Sequence, residues 1–275
     1  MGMDCRLVLR DAGEQVVIDA GRGVRIGAGE PVVIAGPCSV EDPEMITETA
    51  LFVRKLLVDE LGVRNVVIRG GAWKPRTSPY SFQGHGEKAL EWLREAGDRA
   101  GLPVATEVMD PRDVAKAAEY VDVLWVGARN MQNTPLLREL AKTGKPVLLK
   151  RHFGATVNEW LCAAEYLLAG GNTQVALVER GTRGFNEYAR FSLDITVVPA
   201  VQEVSRLPVL VDVSHPAGKR SLVPSLIAAS LAAGADGVMV EVHPRPEKAL
   251  SDAKQQLSFQ LFAETMRQLR SRGLL

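Results

Sequence analysis

The feature that most constrains this 275-residue chain is one unit repeated eight times, a short apolar run followed by an amphipathic segment. The apolar runs are Val32–Ala35, Asn65–Ile68, Pro103–Thr106, Asp122–Val126, Pro146–Leu149, Gln174–Val178, Pro208–Asp212 and Gly237–Glu241. Strands that are apolar on both faces and alternate with helices build a parallel sheet covered on both sides. Eight such units in a chain of this length predict a closed (β/α)₈ barrel, an α/β fold of the TIM-barrel type. An open doubly wound sheet is the alternative. It calls for a glycine-rich phosphate turn after the first strand, where this chain reads Gly36-Pro37-Cys38-Ser39.

The intervening segments carry helical spacing. In Pro43–Glu60, Ile46, Ala50, Val53 and Leu57 recur at intervals of three and four. Helices are predicted there and at Glu87–Ala100, Asp110–Tyr120, Thr134–Lys142, Thr156–Ala169, Pro199–Ser205, Ser221–Ala233 and Phe259–Arg272. Before the first unit, Cys5–Arg10 and Gln15–Asp19 flank Asp11-Ala12-Gly13-Glu14, the pattern of a β-hairpin with a glycine turn. The expected organisation is an N-terminal hairpin extension over residues 1–30, acting as a lid on one end, and a barrel over residues 31–275.

Charge narrows the ligand class. Lys and Arg total 33, as do Asp and Glu, so the net charge is zero. A nucleic-acid binder would carry a basic excess, so a small molecule is expected. No apolar run approaches the roughly 18 residues a membrane span needs. Asp4 and Arg6 interrupt any signal-peptide core, and three cysteines make no disulfide framework, so a reduced, cytoplasmic setting is expected.

In this barrel, active sites lie at the C-terminal ends of the strands. In chain order those ends offer Cys38; Arg69, Lys74 and Arg76; Glu107; Arg129; Lys150, Arg151 and His152; Glu179, Arg180 and Arg183; Asp212, His215, Lys219 and Arg220; then Glu241, His243 and Asp252. A chain without net charge has collected many cations at one mouth, which steers anions toward it. Their number points to more than one phosphate or carboxylate group. The second connection, Arg69–Gly86, is the richest: four glycines, two prolines, three cations and the hydroxyls of Thr77, Ser78 and Ser81. Connections this long are uncommon without a function.

Cys38, His215, Glu241 and Asp252 form a second constellation. A thiol, an imidazole and two carboxylates suit a borderline divalent ion such as Mn²⁺, Fe²⁺, Co²⁺ or Zn²⁺. Their spacing is non-local, and His85, His152 and His243 are rival ligands.

Eight segments together resemble one enzyme family. They are AGPCSVED (35–42), RGGAWKPRTSPYSFQG (69–84), ATEVMD (105–110), GARNMQN (127–133), LLKRHFGAT (148–156), ERGTRGF (179–185), DVSHPAGKR (212–220) and GVMVEVHPRPEKALSDAKQQL (237–257). In order and across nearly everything after residue 31, they resemble 3-deoxy-D-arabino-heptulosonate 7-phosphate (DAHP) synthases. The short type related to the 3-deoxy-D-manno-octulosonate 8-phosphate (KDO8P) synthases is nearest. The resemblance implies a TIM barrel and a divalent metal, with Mn²⁺ the first candidate. It also implies condensation of phosphoenolpyruvate with erythrose 4-phosphate, releasing phosphate, as the first step of the shikimate pathway. It assigns the metal to Cys38, His215, Glu241 and Asp252, phosphoenolpyruvate to Arg69, Lys74, Arg129, Lys150 and Arg180, and the aldose phosphate to Arg76, Thr77 and Ser78. His152 is implied near the reacting enol, and Glu107 is a candidate for managing protons. The octulosonate enzymes carry a KANRSS-like segment where this chain has Lys74-Pro75-Arg76-Thr77-Ser78, which favours the four-carbon aldose. Metal-independent relatives have Asn in place of Cys38. Many relatives carry a separate regulatory domain, and a segment of only 30 residues before the barrel puts direct feedback inhibition in doubt.

Three alternatives stay open at this stage: KDO8P synthesis from arabinose 5-phosphate, a class I aldolase using Lys150 as Schiff-base nucleophile, and a non-catalytic phosphosugar-binding barrel. A homo-oligomer, dimer or tetramer, is expected by analogy with relatives.

Overall fold

The computed structural model describes residues 5–275. Two short antiparallel strands, β1 (Ile18–Asp19) and β2 (Arg25–Ile26), precede eight parallel ones. These are β3 (Val32–Gly36), β4 (Val66–Arg69), β5 (Val104–Val108), β6 (Val123–Val126), β7 (Val147–Lys150), β8 (Val175–Glu179), β9 (Val209–Asp212) and β10 (Gly237–Glu241). Each pairs with the next, and β10 pairs with both β9 and β3, which closes the barrel. The open-sheet alternative is thereby excluded.

Every residue of these eight strands is buried. Along β3, Val32 and Ile34 join the cluster inside the barrel, while Val33 and Ala35 join the layer between strands and helices. Successive strand side chains point to opposite faces, so only a strand buried on both faces needs an unbroken apolar run.

The helices are α1 (Pro43–Val53), α2 (Glu87–Ala100), α3 (Val114–Tyr120), α4 (Thr134–Lys142), α5 (Val157–Ala169), α6 (Val197–Val204), α7 (Ser214–Ala217), α8 (Val223–Ala232) and α9 (Phe259–Ser271). The predicted helix Pro43–Glu60 is wound in two parts, α1 and a π-helical stretch at Arg54–Glu60 that buries the adjacent Leu56 and Leu57. The α6 helix starts at Val197, two residues before Pro199, because proline is tolerated in a first turn. No helix among the described residues is long and apolar enough to cross a membrane.

The N-terminal hairpin exists, but not where the turn signal at Asp11–Glu14 places it. Arg10–Ala12 is a 3₁₀ turn, and the backbone N–H groups of Arg6, Leu7 and Val8 donate to the Glu165 carboxylate of α5. The hairpin turns instead at Gly21-Arg22-Gly23, where all three φ values are positive (87, 53 and 79°). Glycine adopts that region without steric cost, so this turn prevailed. Ile18 and Ile26 are fully buried and join the interior cluster of the barrel. The hairpin is also fastened to Asn65 and Gln174, which immediately precede β4 and β8. It therefore covers the N-terminal end and leaves the other end free for chemistry. Residues 1–4 of the expected extension lie outside the described residues.

Candidate active site

The C-terminal ends of the strands surround a cleft of about 270 Å³. Its walls include Lys74, Arg76, Thr77, Ser78, Glu107, Arg129, Lys150, Arg180, His215 and Asp252. These residues come from seven of the eight barrel strands or the connections that follow them, and the tertiary fold brings them to one place.

The four candidate metal ligands converge. Cys38 follows β3, Glu241 ends β10, Asp252 lies in the connection after β10, and His215 stands in α7. Ligand atoms of Cys38, Glu241 and Asp252 all lie within 4.8 Å of one another. His215 Nε2 is 3.5 Å from Glu241 Oε1 and 3.6 Å from Asp252 Oδ2. Neighbouring side chains orient this set. Gln255 Nε2 donates to Glu241 Oε2 at 2.7 Å and to Asp252 Oδ2 at 3.3 Å. The Gln256 carbonyl oxygen Oε1 accepts the backbone N–H of Cys38 at 3.0 Å. Asp252 has a φ of 45°, a strained value for a non-glycine residue, of the kind that clusters at functional sites. Soft thiolate, imidazole and hard carboxylates converging this closely fit a borderline divalent ion.

Cations line the same floor. Lys74 Nζ lies 3.0 Å from Cys38 Sγ. Arg69 is fully buried, donates to Glu241 Oε1 at 3.3 Å, and lies over the Trp125 ring, 5.0 Å from its centroid. Lys150 Nζ donates to Asp212 Oδ2 at 2.5 Å and lies 5.5 Å from the same ring centroid. Arg180 stacks on Phe191, 4.3 Å from the ring centroid. Arg129 Nη1 donates to the carbonyl of Pro75 at 2.8 Å, which ties the β4–α2 connection to the connection after β6. That connection is ordered rather than a loose surface loop. Lys74 N–H donates to Gln83 O, and the Gln83 amide in turn donates to the carbonyls of Ser78 and Ser81.

Burial and neighbouring charges together shift the titration of the site's groups. Burial pushes the Cys38 thiol up to about 12, helped by the charge of Glu241 and opposed by Lys74. Burial lowers Arg180 to about 10, which still leaves it charged at neutral pH. It also lowers Lys150, with Asp212 opposing. For Lys74 burial works downward, yet Cys38, Glu107 and Glu241 outweigh it and its pKa is raised. For Asp212 burial works upward, but His215 and Lys150 hold the carboxyl well below its ordinary value.

Other residues at the strand ends are engaged elsewhere. Arg151 pairs with Glu179 at 3.1 Å and Asp194 at 2.9 Å, a buried structural cluster. Lys219 sits over Tyr188, Arg183 over Phe153, and Arg220 on the carbonyls of Ala253 and Gln256. His152 packs on Phe153, accepts the Gly154 N–H, and feels the charges of Arg180 and Arg183. The other rival histidines stand apart: His85 between Phe82 and Trp92, and His243 near Glu41. Arg190 and Phe191 line the cleft without a signal at a strand end. Arg190, from the long β8–α6 connection, lies 3.7 Å from Asp252 Oδ1. Its signal was being another cation in the connection that holds Arg180 and Arg183.

Residues 15–274 match the profile of the DAHP synthetase I family. The chain is 53% identical to a phospho-2-dehydro-3-deoxyheptonate aldolase of Thermotoga maritima, over 94% of this chain and 74% of that protein. It is 36% identical to a 2-dehydro-3-deoxyphosphooctonate aldolase of Nitratidesulfovibrio vulgaris, over 82% of this chain and 85% of that protein. The crystal structure of the Thermotoga maritima DAHP synthase superposes with a TM-score of 0.92 at 50% identity, covering 99% of this chain and 78% of that one. A truncated form of the Thermotoga enzyme gives a TM-score of 0.87 at 48% identity, covering 97% of this chain and 95% of that one.

Proposed function

This chain belongs to the DAHP synthetase I family, and from that membership we propose that its barrel mouth condenses phosphoenolpyruvate with erythrose 4-phosphate to make 3-deoxy-D-arabino-heptulosonate 7-phosphate and inorganic phosphate. The observation that carries this reading is the 53% identity to a heptonate-type enzyme across nearly the whole chain. Identity to an octonate-type relative falls to 36%, so the octulosonate alternative is not favoured.

The cleft supports the following assignment of roles. Lys150, Arg129 and Arg180 bind the phosphate of phosphoenolpyruvate, and Lys74 and Arg69 its carboxylate. Arg76, Thr77 and Ser78 receive the aldose phosphate. Holding two mutually repelling anions in contact supplies most of the rate gain, through proximity and orientation. C3 of phosphoenolpyruvate bonds to the aldehyde carbon, water adds at C2, and the resulting phosphohemiketal loses phosphate by C–O cleavage. Glu107, which lines the cleft beside Gly127, is our candidate to move a proton to or from this water. Cys38, His215, Glu241 and Asp252 would hold the divalent ion, Mn²⁺ first among Co²⁺, Fe²⁺ and Zn²⁺. When bound, it supplies Lewis-acid polarisation of the aldehyde. A cytoplasmic homo-oligomer, dimer or tetramer, belongs to the same proposal.

The test is a phosphate-release assay offering erythrose 4-phosphate and arabinose 5-phosphate side by side. Turnover is expected with the four-carbon aldose, lost in EDTA and restored by Mn²⁺. Preference for the five-carbon aldose would overturn the substrate assignment, and full activity after EDTA would overturn the metal. Borohydride trapping of substrate on Lys150 would favour an imine mechanism instead.

A further inference from the structure

Two functional groups share the carboxylate of Asp212. Its Oδ2 accepts from Lys150 Nζ at 2.5 Å and lies 2.7 Å from His215 Nδ1. Its Oδ1 accepts the backbone N–H of His215 at 3.2 Å, which fixes the histidine against the carboxylate. Asp212 ends β9 and is fully buried, so solvent does not weaken these bonds. Lys150 reaches the cleft, while His215 presents Nε2 toward Glu241 and Asp252. None of the roles given above uses Asp212.

We propose that Asp212 is a positioning residue that couples substrate binding to metal binding through this one oxygen. The proposal rests on the reading that Lys150 holds the substrate phosphate and His215 the metal. An oxygen that accepts from two donors divides its electron density between them. When a phosphate draws Lys150 Nζ toward itself, the Asp212–Lys150 bond weakens and the bond to Nδ1–H strengthens. A histidine bound more strongly through Nδ1–H is a better donor at Nε2, the general role of carboxylates behind metal-binding histidines. Phosphoenolpyruvate therefore tightens the metal, and by linkage the metal tightens phosphoenolpyruvate by the same factor.

The experiment is titration with Mn²⁺, with and without phosphoenolpyruvate, of the wild type, Asp212→Asn, Lys150→Met and the double variant. Asp212→Asn is expected to weaken Mn²⁺ binding about 10–100-fold and to remove most of the substrate-induced tightening. Lys150→Met, which changes no metal ligand, is expected to tighten Mn²⁺ binding several-fold in the wild-type background. It is expected to have no effect on top of Asp212→Asn. Equal effects of Lys150→Met in both backgrounds, or undiminished tightening by substrate in Asp212→Asn, would overturn the relay, since Lys150 would then act only as a charge through space. Failure of the underlying reading looks different: the wild type would bind no Mn²⁺, or His215→Ala would leave its affinity unchanged. A readout free of folding effects is the ¹⁵N spectrum of the four histidines in the wild-type protein without metal. Phosphoenolpyruvate should shift the His215 imidazole signals, and an unmoved spectrum overturns the relay.

Discussion

The ammonium of Lys74 lies 3.0 Å from the sulfur of Cys38, yet the thiol is pushed up to about 12. Burial and the charge of Glu241 outweigh the cation. The metal-free thiol is thus protonated throughout the neutral range, whereas a metal takes the thiolate. Binding must release that proton, so affinity should rise with pH by about tenfold per unit for this one group. Metal titrations across neutral pH check this, and the slope should fall by one proton in Cys38→Asn. A flat wild-type profile would contradict the thiol's role as ligand.

Gly127 leaves room for Glu107. A Cβ at Gly127 would lie 1.9 Å from Glu107 Oε1, so Gly127→Ala must drive the carboxylate out of its position. If Glu107 moves protons in the reaction, kcat should fall by about 100-fold or more, as in Glu107→Gln. Circular dichroism should be unchanged. Normal turnover in Gly127→Ala would remove Glu107 from the mechanism.

Arg180 stacks on the Phe191 ring and needs a planar guanidinium to do so. Lysine keeps the charge and loses both the stack and the fork that grips phosphate. Arg180→Lys is expected to raise KM for phosphoenolpyruvate about tenfold with a smaller change in kcat, the mark of lost uniform binding. Steady-state kinetics with erythrose 4-phosphate saturating would show the split. A kcat loss without a KM change would place Arg180 in the transition state instead.

Ile18 is fully buried at the end of the barrel opposite the cleft. Ile18→Ala should cost about 2–5 kcal/mol through lost burial and a residual cavity. In a chain of this size that lowers Tm by roughly 2–4 °C per kcal/mol. Both KM values should stay unchanged. A variant with wild-type Tm would show that the hairpin does not seal the barrel.

The strands were legible because burial on both faces demands unbroken apolar runs, as in Val147–Leu149 and Val175–Val178. The candidate ligands were legible as residue types at strand ends. The hairpin turns at Gly21–Gly23 rather than at Asp11–Glu14 because the glycines take positive φ freely and because that turn buries Ile18 and Ile26 in the barrel, which local turn chemistry does not reveal. Arg151 and Arg180, nearly adjacent to the same mouth, read alike in sequence. Arg151 turned to Glu179 and Asp194, and Arg180 to the cleft.

The sequence by itself determined the barrel, its order of strands and the inventory of charged groups at one mouth, because apolar periodicity and strand-end chemistry are local properties. Only the tertiary structure decided which of those groups touch. Cys38 and Asp252 are 214 positions apart, and Lys150 and His215 meet on one oxygen of Asp212. Such contacts depend on barrel closure and on loop conformations, and these are settled by packing across the whole chain rather than by any one segment.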